Sequence, residues 1–291
     1  MERSKMVIEK AIDRVRKLLS LAKGTSEHEA ASAAASAAKL IEQFKLTDAR
    51  IRLDEPEAKP EPIAKDARLE PELPVSDGRK RVAWKETIAQ ATASDVGVKI
   101  YWMAHVDVRG FGRESAIQTW RYTYQYLCRA VDELADKSWN DEVRLREATG
   151  TLPFSGRRGY ESVRAWKNAF RVGCAQRLST RLYEARIERK KARVEHGDDA
   201  RTRANAHVGD QASVDDAIGA ARECQALAVV AKDQAEVDQE YKAYSKGWRG
   251  SIGSIGQTSS RDGYSAGRAA GDRVSLGAKR AGLGAGQGRL R

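Results

Sequence analysis

Long apolar runs and an apolar leader are both missing from this sequence. No stretch approaches the roughly 20 apolar residues that a membrane-spanning helix needs. The first ten residues, MERSKMVIEK, contain no apolar core of the kind that a secretory signal peptide carries. We therefore expect a protein that is neither inserted in a membrane nor secreted, and that resides in the cytoplasm, which for a phage-encoded protein is the host cytosol.

Cysteine and histidine are scarce, which bears on disulfides, metal sites and thiol nucleophiles. The three cysteines are odd in number and far apart, so we predict buried thiols in a reducing compartment rather than a disulfide framework. The four histidines stand alone, and neither HExxH nor CxxC occurs, whereas zinc needs three or four converging ligands. These residues are Cys128, Cys174, Cys224, His28, His105, His196 and His207.

Sequence signatures of phosphate loops and acid catalysis are weak. The pattern GxxxxGK[ST] is absent, and the glycine-rich stretches 110–112 and 282–286 lack the strand-to-helix context of a dinucleotide site. Adjacent acids at 198–199 and 215–216 could hold a hard cation, but solvated helix faces are the favoured interpretation. The sequence therefore predicts no catalytic residue, no metal ligand and no cofactor.

Negative charge is outweighed along the chain as a whole. Lysine and arginine number 52 against 41 acidic residues, which gives a net charge of +11 and a pI near 9.6. Such a balance favours polyanionic partners, because cations steer them in and displace their counterions. The alternative is a basic protein whose charge serves only solubility.

Proline is rare outside one segment, which we interpret as a linker at residues 54–80. Five of the six prolines lie between residues 54 and 77, together with eight acids and three bases. Proline breaks helices and cannot donate to a β-ladder, and like charges repel one another. We expect a semi-extended, flexible tether.

The residues before this linker predict a helical hairpin module spanning 1–53. Apolar residues recur with a helical period over 4–23, and Gly24 stands where a helix would end. Ser26 and Glu29 then have the spacing of a capping box. The alanine-rich helix that follows could pack closely against the first.

This module carries a resemblance to a known family. The string RKLLSLA at residues 16–22 precedes a helix that contains Glu29-Ala30, Ala37 and Leu40. It resembles the N-terminal helical module of a bacterial and phage family known only as a domain of unknown function. The resemblance implies a phage or prophage setting and carries no catalytic residues across. Three later segments resemble the C-terminal region that often accompanies this module: GFGRESAIQTWRYTYQYL, WKNAFRVGCAQRLSTRL and GYSAGRAAGDRV.

The central unit, within a predicted domain at 81–245, combines a small β-hairpin with helices. Residues 84–95 predict a short helix, and 96–102 and 106–111 alternate as two strands. The amphipathic run 114–139 predicts a helix that lies across this hairpin, since a lone two-stranded ribbon is weak. A third strand near 145–155 has only a poor signal. The fold class is therefore α+β and mostly helical, with a β-hairpin covered by long helices.

Two long helices and a glycine-rich tail complete the chain. A basic helix is predicted over 161–195, where Gly197 ends it, and an acidic helix over 214–244; their opposite charges suggest antiparallel pairing. The tail, 246–291, holds twelve of the 24 glycines and nine bases against two acids. Glycine at this density opposes folding, so we expect disorder apart from a short helix near 264–276.

The strongest functional signal is distributed over basic and aromatic residues. Arginine with glycine and sparse aromatics is typical of nucleic-acid binding through phosphate contacts and base stacking. The segment Arg109–Arg113, RGFGR, opens like an RNA-recognition strand motif and then departs from it, and the helix after it could accept a phosphate at its N-terminus. The predicted nucleic-acid-binding residues are Arg109, Arg113, Arg164, Lys167, Arg171, Lys246, Trp248, Arg249, Arg261, Arg268, Arg273, Lys279 and Arg280.

The leading hypothesis is a non-enzymatic phage or prophage accessory protein that binds DNA or RNA with little sequence preference. One alternative is an adaptor or inhibitor that docks the tethered hairpin on a host or phage protein. A second alternative is a metal-dependent hydrolase or nuclease whose acids are assembled only by folding.

Overall fold

The structure is a computed structural model. It describes residues 49–50, 53, 60–69, 74–77, 80–103, 107–150, 162–205, 211–248 and 260–274. The predicted N-terminal hairpin, residues 1–53, lies almost entirely outside the described residues.

Helices dominate the described residues, and a small sheet accompanies them, which confirms a mostly helical α+β fold. None of these helices combines the length and the apolar composition needed to cross a membrane. In chain order the elements are β1 (Ile63–Arg68), α1 (Ala83–Val96), β2 (Lys99–Met103), β3 (Asp107–Arg113), α2 (Glu114–Ala148), α3 (Val163–Asn205), α4 (Gln211–Tyr244) and α5 (Arg261–Arg273).

The sheet is antiparallel, with strand order β1-β3-β2. Strands β2 and β3 form the predicted hairpin, in which Tyr101 faces Arg109 and Lys99 faces Phe111. Val98, Ile100 and Trp102 share the face that packs on the main apolar core, where Val98 is buried and the other two are partly buried.

The third strand was not predicted. Residues 63–68 lie inside the segment interpreted as a flexible tether, yet they form β1 and pair with β3. The pairing is interrupted between Ala64 and Ala67 by a bulge, where Asp66 has a φ of 64°. An edge strand needs a partner on one side only. A short segment that follows two prolines and contains a bulge can therefore form such a strand. The weak strand signal near 145–155 is wrong at its start, because α2 continues to Ala148.

One face of the sheet packs on α1 and α2, and these two helices in turn pack on α3. Trp120 of α2 is completely buried and donates from its indole Nε1 to the backbone oxygen of Ala89, 3.0 Å away. A Cβ added to Gly110 of β3 would lie 2.6 Å from the Trp120 ring, so the glycine permits this close approach. The predicted placement of the helix that begins at residue 114 across the hairpin is thereby confirmed.

Helix α3 is longer than predicted and pairs with α4 as expected. It continues through Gly197 to Asn205, so Gly197 does not end it. Arg203 of α3 contacts Glu223 of α4, and Gly197 lies against Leu227 further along. These contacts run in opposite directions along the two helices, which confirms antiparallel pairing.

The C-terminal half of α4 covers the second face of the sheet. Val237 there joins Tyr101 and Phe111 in a separate small core, with Ile63 and Tyr241 at its margin. The sheet is thus enclosed between two helical layers.

Helix α5 lies in the segment predicted to be a disordered tail. Its glycines face α3: a Cβ on Gly263 would lie 2.6 Å from the carbonyl oxygen of Trp166, and one on Gly267 less than 3.0 Å from that of Phe170. Because both positions advance by four residues, the two helices run parallel. The short helix expected near 264–276 is confirmed, and it begins three residues earlier than predicted, at Arg261, and ends at Arg273.

Candidate nucleic-acid interface

Strand β3 carries Arg109, the first of the predicted phosphate-binding residues. Its side chain is 8 % exposed, and its guanidinium lies 2.7 Å from a carboxylate oxygen of Asp107 and 3.1 Å from one of Asp66. Two carboxylates therefore surround a buried cation. The geometry makes Arg109 a tie between β3 and the bulge of β1.

Arg113, at the junction of β3 and α2, is held in the same manner by α4. Its Nη2 lies 2.6 Å from Glu236 and 3.6 Å from Asp233, and its Nη1 donates to the backbone oxygen of Glu61. The arginine is 13 % exposed. Acidic residues of α4 thus neutralise it.

The N-terminus of α2, where a phosphate was expected, is occupied by a carboxylate of the chain itself. The backbone N–H of Ser115 donates to Glu61 Oε1 over 2.5 Å, and the Ser115 hydroxyl donates to Oε2 over 2.8 Å. A helix N-terminus attracts anions, and here Glu61 meets that demand.

Two of the three predicted cations on α3 also pair with acids. Lys167 lies 2.7 Å from Asp136, and Arg171 lies 2.6 Å from Asp132, both on α2. The hydrogen bond from Lys167 lowers the pKa of Asp136. Arg164 differs: it is exposed and has no ion-pair partner in the part of the chain that the structure describes.

Helix α5 carries three exposed arginines. Arg261, Arg268 and Arg273 are all exposed, and no ion pair involves them within the described ranges. Arg261 and Arg268 are seven residues apart and therefore lie along one side of the helix. Lys246 is likewise exposed. Arg249, Lys279 and Arg280 lie outside the described residues.

The packing of α5 on α3 involves two arginines of α3 that the sequence identified only as part of a basic helix. Arg177 Nε lies 2.5 Å from Asp272, and Arg181 donates to the carbonyl oxygens of Gly271, over 2.6 Å, and Val274. Cations at a helix C-terminus satisfy carbonyl groups that have no partner within the helix. The signal that could have revealed this contact is Gly263, Gly267 and Gly271, spaced every fourth residue.

Trp248 lies on the face of the sheet that α4 covers. Its ring centroid is 4.7 Å from that of Tyr101 and 5.2 Å from that of Tyr244. Trp248 is 45 % exposed and Tyr244 37 %, whereas Tyr101 is 6 % exposed. Tyr101 of β2 is therefore the buried ring of this group.

The cysteines are placed as buried thiols rather than as nucleophiles. Cys128 and Cys174 are completely buried, which confirms the prediction for these two, and Cys224 is half-buried. Burial raises the pKa of both Cys128 and Cys174 to about 12. Their thiols therefore stay protonated at neutral pH.

Acidic residues do not converge on a metal site in the described part of the chain. Asp198 and Asp199 are exposed within α3, and the side chains of residues 215–216 lie outside the described set. A cleft of about 390 Å³ between α1 and α3 contains Glu86 and Asp95. These two acids already pair with Arg81 and Arg189.

Comparison with known proteins finds one stretch of this chain that matches a family model. Residues 10–48 match the model of a family described as "Protein of unknown function (DUF2786)", which agrees with the resemblance seen in the N-terminal module. No curated protein and no solved structure matches the chain at a significant level.

Proposed function

We propose that this protein is a non-enzymatic nucleic-acid-binding protein with little sequence preference, and that its C-terminal segment 246–291 makes the main phosphate contacts. The observation that carries the proposal is that three arginines of α5, Arg261, Arg268 and Arg273, are exposed without an ion-pair partner in the described ranges. A phage or prophage accessory role in the host cytosol belongs to the same proposal, and the N-terminal family match is compatible with it.

The distribution of charge supports the C-terminal segment over the centre of the molecule. Helix α4 contains seven acids and three bases, and its acids contact cations of the sheet and of α3. Glu236 contacts Arg113, for example, and Asp238 contacts Lys99. The segment 246–291 has nine bases against two acids, and one of these acids, Asp272, is engaged by Arg177.

Helix α5 is fixed to α3, and this rigid placement favours phosphate binding by its arginines. A cation on a helix fixed to the core presents its charge in one place, so less side-chain and backbone freedom is lost when a phosphate binds. Arg164 lies near the start of α3, and Arg261 starts α5, which runs parallel to it from the same end. These residues form the set that we assign to phosphate binding: Arg164, Lys246, Arg261, Arg268 and Arg273.

The test compares salt dependence in the full chain, because deleting 246–291 would remove a packed helix. The first variant carries Arg261→Gln, Arg268→Gln and Arg273→Gln. Fluorescence anisotropy with labelled DNA should show weaker binding and a log–log salt slope that is shallower by about 0.9 for each lost contact to duplex phosphate.

The matched control carries the same loss of charge elsewhere: Lys137→Gln, Arg144→Gln and Lys232→Gln, all at exposed helix positions. We expect it to change the slope much less. Equal effects of the two triple variants would show that net charge, and not the α5 surface, drives binding. A full chain that binds neither DNA nor RNA in dilute buffer would contradict the proposed function itself.

A further inference from the structure

Aromatic and apolar side chains, most of them partly exposed, cluster on one face of the sheet. Tyr101, Tyr244 and Trp248 pack ring against ring, and we call these three residues the aromatic patch. Met103, 44 % exposed, follows Tyr101 by two residues in β2 and therefore lies on the same face. Within the patch, the ring of Tyr101 is buried and contacts the half-exposed rings of Tyr244 and Trp248.

The chain holds Trp248 in place through a tight turn after α4. Gly247 has a φ of +88°, a left-handed conformation that glycine adopts without strain. The backbone N–H of Trp248 donates to the carbonyl oxygen of Ser245 over 3.0 Å. Below the indole, the Tyr101 hydroxyl donates to Asp66 over 2.7 Å and lies 3.3 Å from the Tyr244 hydroxyl. The exposed indole is thus positioned before any ligand arrives.

Trp248 stands apart from the other five tryptophans. Trp84, Trp120, Trp139 and Trp166 are all at most 7 % exposed. Trp102 is half-buried, and the guanidinium of Arg81 lies 3.9 Å from its ring centroid. Trp248 alone among the six keeps nearly half of its surface open to a ligand.

Charges around the aromatic patch are mostly balanced within the protein. Lys65 contacts Glu240 and Lys99 contacts Asp238, while Arg109 contacts Asp66 and Asp107. These pairs surround the rings without adding a strong field.

Beyond these pairs, Lys246, two residues before Trp248, is exposed and has no ion-pair partner within the described ranges. The strongly basic segment 246–291 begins at the same place. An anionic ligand with flat apolar groups fits this combination better than a purely apolar one.

We propose that the aromatic patch stacks unpaired bases and makes the protein prefer single-stranded nucleic acid to duplex; this rests on the proposed function. Bases of a duplex are stacked on each other and cannot lie on an external indole, whereas bases of a single strand can. Phosphates next to a base stacked on Trp248 would contact Lys246, which is exposed two residues earlier in the chain. The aromatic patch therefore gives the preference for single-stranded nucleic acid, and the exposed cations attract its phosphates.

The experiment measures the affinity of the full chain for an oligothymidylate of about 15 nucleotides and for a duplex of the same length. Trp248→Ala should weaken single-strand binding about tenfold and change duplex binding less than about twofold, because stacking on one aromatic ring is worth that order of affinity. Trp248→Phe, which keeps a ring, should retain most of the affinity. Tyr183→Ala, which removes another exposed aromatic residue, is the matched control and should have no selective effect.

Tryptophan fluorescence of the unmodified chain provides a second readout that needs no variant. Single-stranded DNA should quench the emission and reduce its accessibility to iodide, and duplex should do so much less. Loss of this response in Trp248→Phe would assign it to the patch.

Several outcomes would overturn the inference. If the unmodified chain binds both nucleic acids with steep salt dependence and Trp248→Ala weakens them equally or not at all, the stacking site is wrong while the proposed function stands. If oligothymidylate leaves the emission unchanged, the aromatic patch belongs to another partner, such as a protein. If neither nucleic acid binds, both proposals fail.

Discussion

Helices α4 and α5 both pack on α3, and they do so by different means. Helix α5 runs parallel to α3 and brings glycines against its carbonyl oxygens, so the contact is between backbones. Helix α4 runs antiparallel to it and contributes charged side chains, as at Glu223. Backbone contact leaves no room for an added methyl group, whereas solvated ion pairs adjust when one member changes.

The largest expected effect is at the contact between α5 and α3. A Cβ in Gly267→Ala would lie less than 3.0 Å from the Phe170 carbonyl oxygen, and backbone atoms cannot move aside as a flexible side chain does. Overpacking of this kind costs about 1–3 kcal/mol of unfolding free energy, and alanine's better helix propensity offsets only part of it. Urea denaturation followed by circular dichroism measures the loss.

Gly219→Ala on α4 is the matched control, because nothing lies within 4 Å of the added methyl group. Helix propensity alone then predicts stabilisation by about 0.5–1 kcal/mol. If Gly267→Ala were as harmless as Gly219→Ala, the close backbone packing described for α5 would be incorrect.

A smaller effect is expected where α4 meets the sheet. Arg113→Gln removes a 13 % exposed guanidinium that contacts Glu236 and Asp233. Loss of these charge-assisted contacts should lower the unfolding free energy by about 1–2 kcal/mol, measured in the same urea titration.

Lys99→Gln provides the comparison for Arg113→Gln, since Lys99 is 39 % exposed and its partner Asp238 is 51 % exposed. A solvated pair of this kind should contribute less than about 0.5 kcal/mol. An equal cost for the two substitutions would mean that burial does not distinguish these contacts.

A further small effect, and the one that depends on pH, concerns Glu223. His196 Nε2 lies 2.8 Å from this carboxylate, and Arg50 and Arg203 lie 3.3 and 3.5 Å away. The hydrogen bond with His196, followed by the charges of His196 and the two arginines, lowers the pKa of Glu223. A lowered folded pKa stabilises the fold above the ordinary glutamate pKa, and this stabilisation is lost as pH falls through the lowered value.

Glu223→Gln should therefore reduce the unfolding free energy by less than about 1 kcal/mol at neutral pH. The difference between the variant and the unmodified chain should shrink as the pH falls below about 5. Urea midpoints across this range measure it, and a difference that grew at lower pH would have the wrong sign for this account.

Local sequence patterns predicted much of the fold, because hydrophobic periodicity and the residues that end helices and strands can be recognised among near neighbours in the chain. The alternation in 96–102 and 106–111 predicted the hairpin, and the helical spacing after Glu114 predicted the helix that covers it. Helix ends were less accurate: Gly197 was expected to stop α3, but the pairing with α4 continues past it. A glycine in a helix costs about 1 kcal/mol, which tertiary packing readily outweighs.

Strand β1 could not be predicted from its own residues. Prolines and acids before it favour a tether, and its strand character comes from hydrogen bonds to β3, some 45 residues away in sequence. Glu61, counted as a linker acid, likewise gains its role only when the N-terminus of α2 is placed beside it.

The predicted phosphate-binding residues include some that are paired with acids and some that are exposed, depending on where each lies in the tertiary structure. Sequence charge identified all of its cations, but it could not distinguish Arg109, enclosed by two carboxylates, from Arg268, which is exposed on α5. Trp248, a predicted binding residue, is exposed, and Tyr101, which contacts it, is buried.

Composition and periodicity by themselves determined that this chain is basic, mostly helical and supplied with a short β-hairpin, because these properties are sums over residues or patterns among near neighbours. Only the tertiary structure decided which cations are neutralised, which aromatic ring faces solvent and which glycines lie against a carbonyl oxygen. Coulomb attraction, burial and steric contact depend on distances of a few ångströms between atoms whose residues are far apart along the chain.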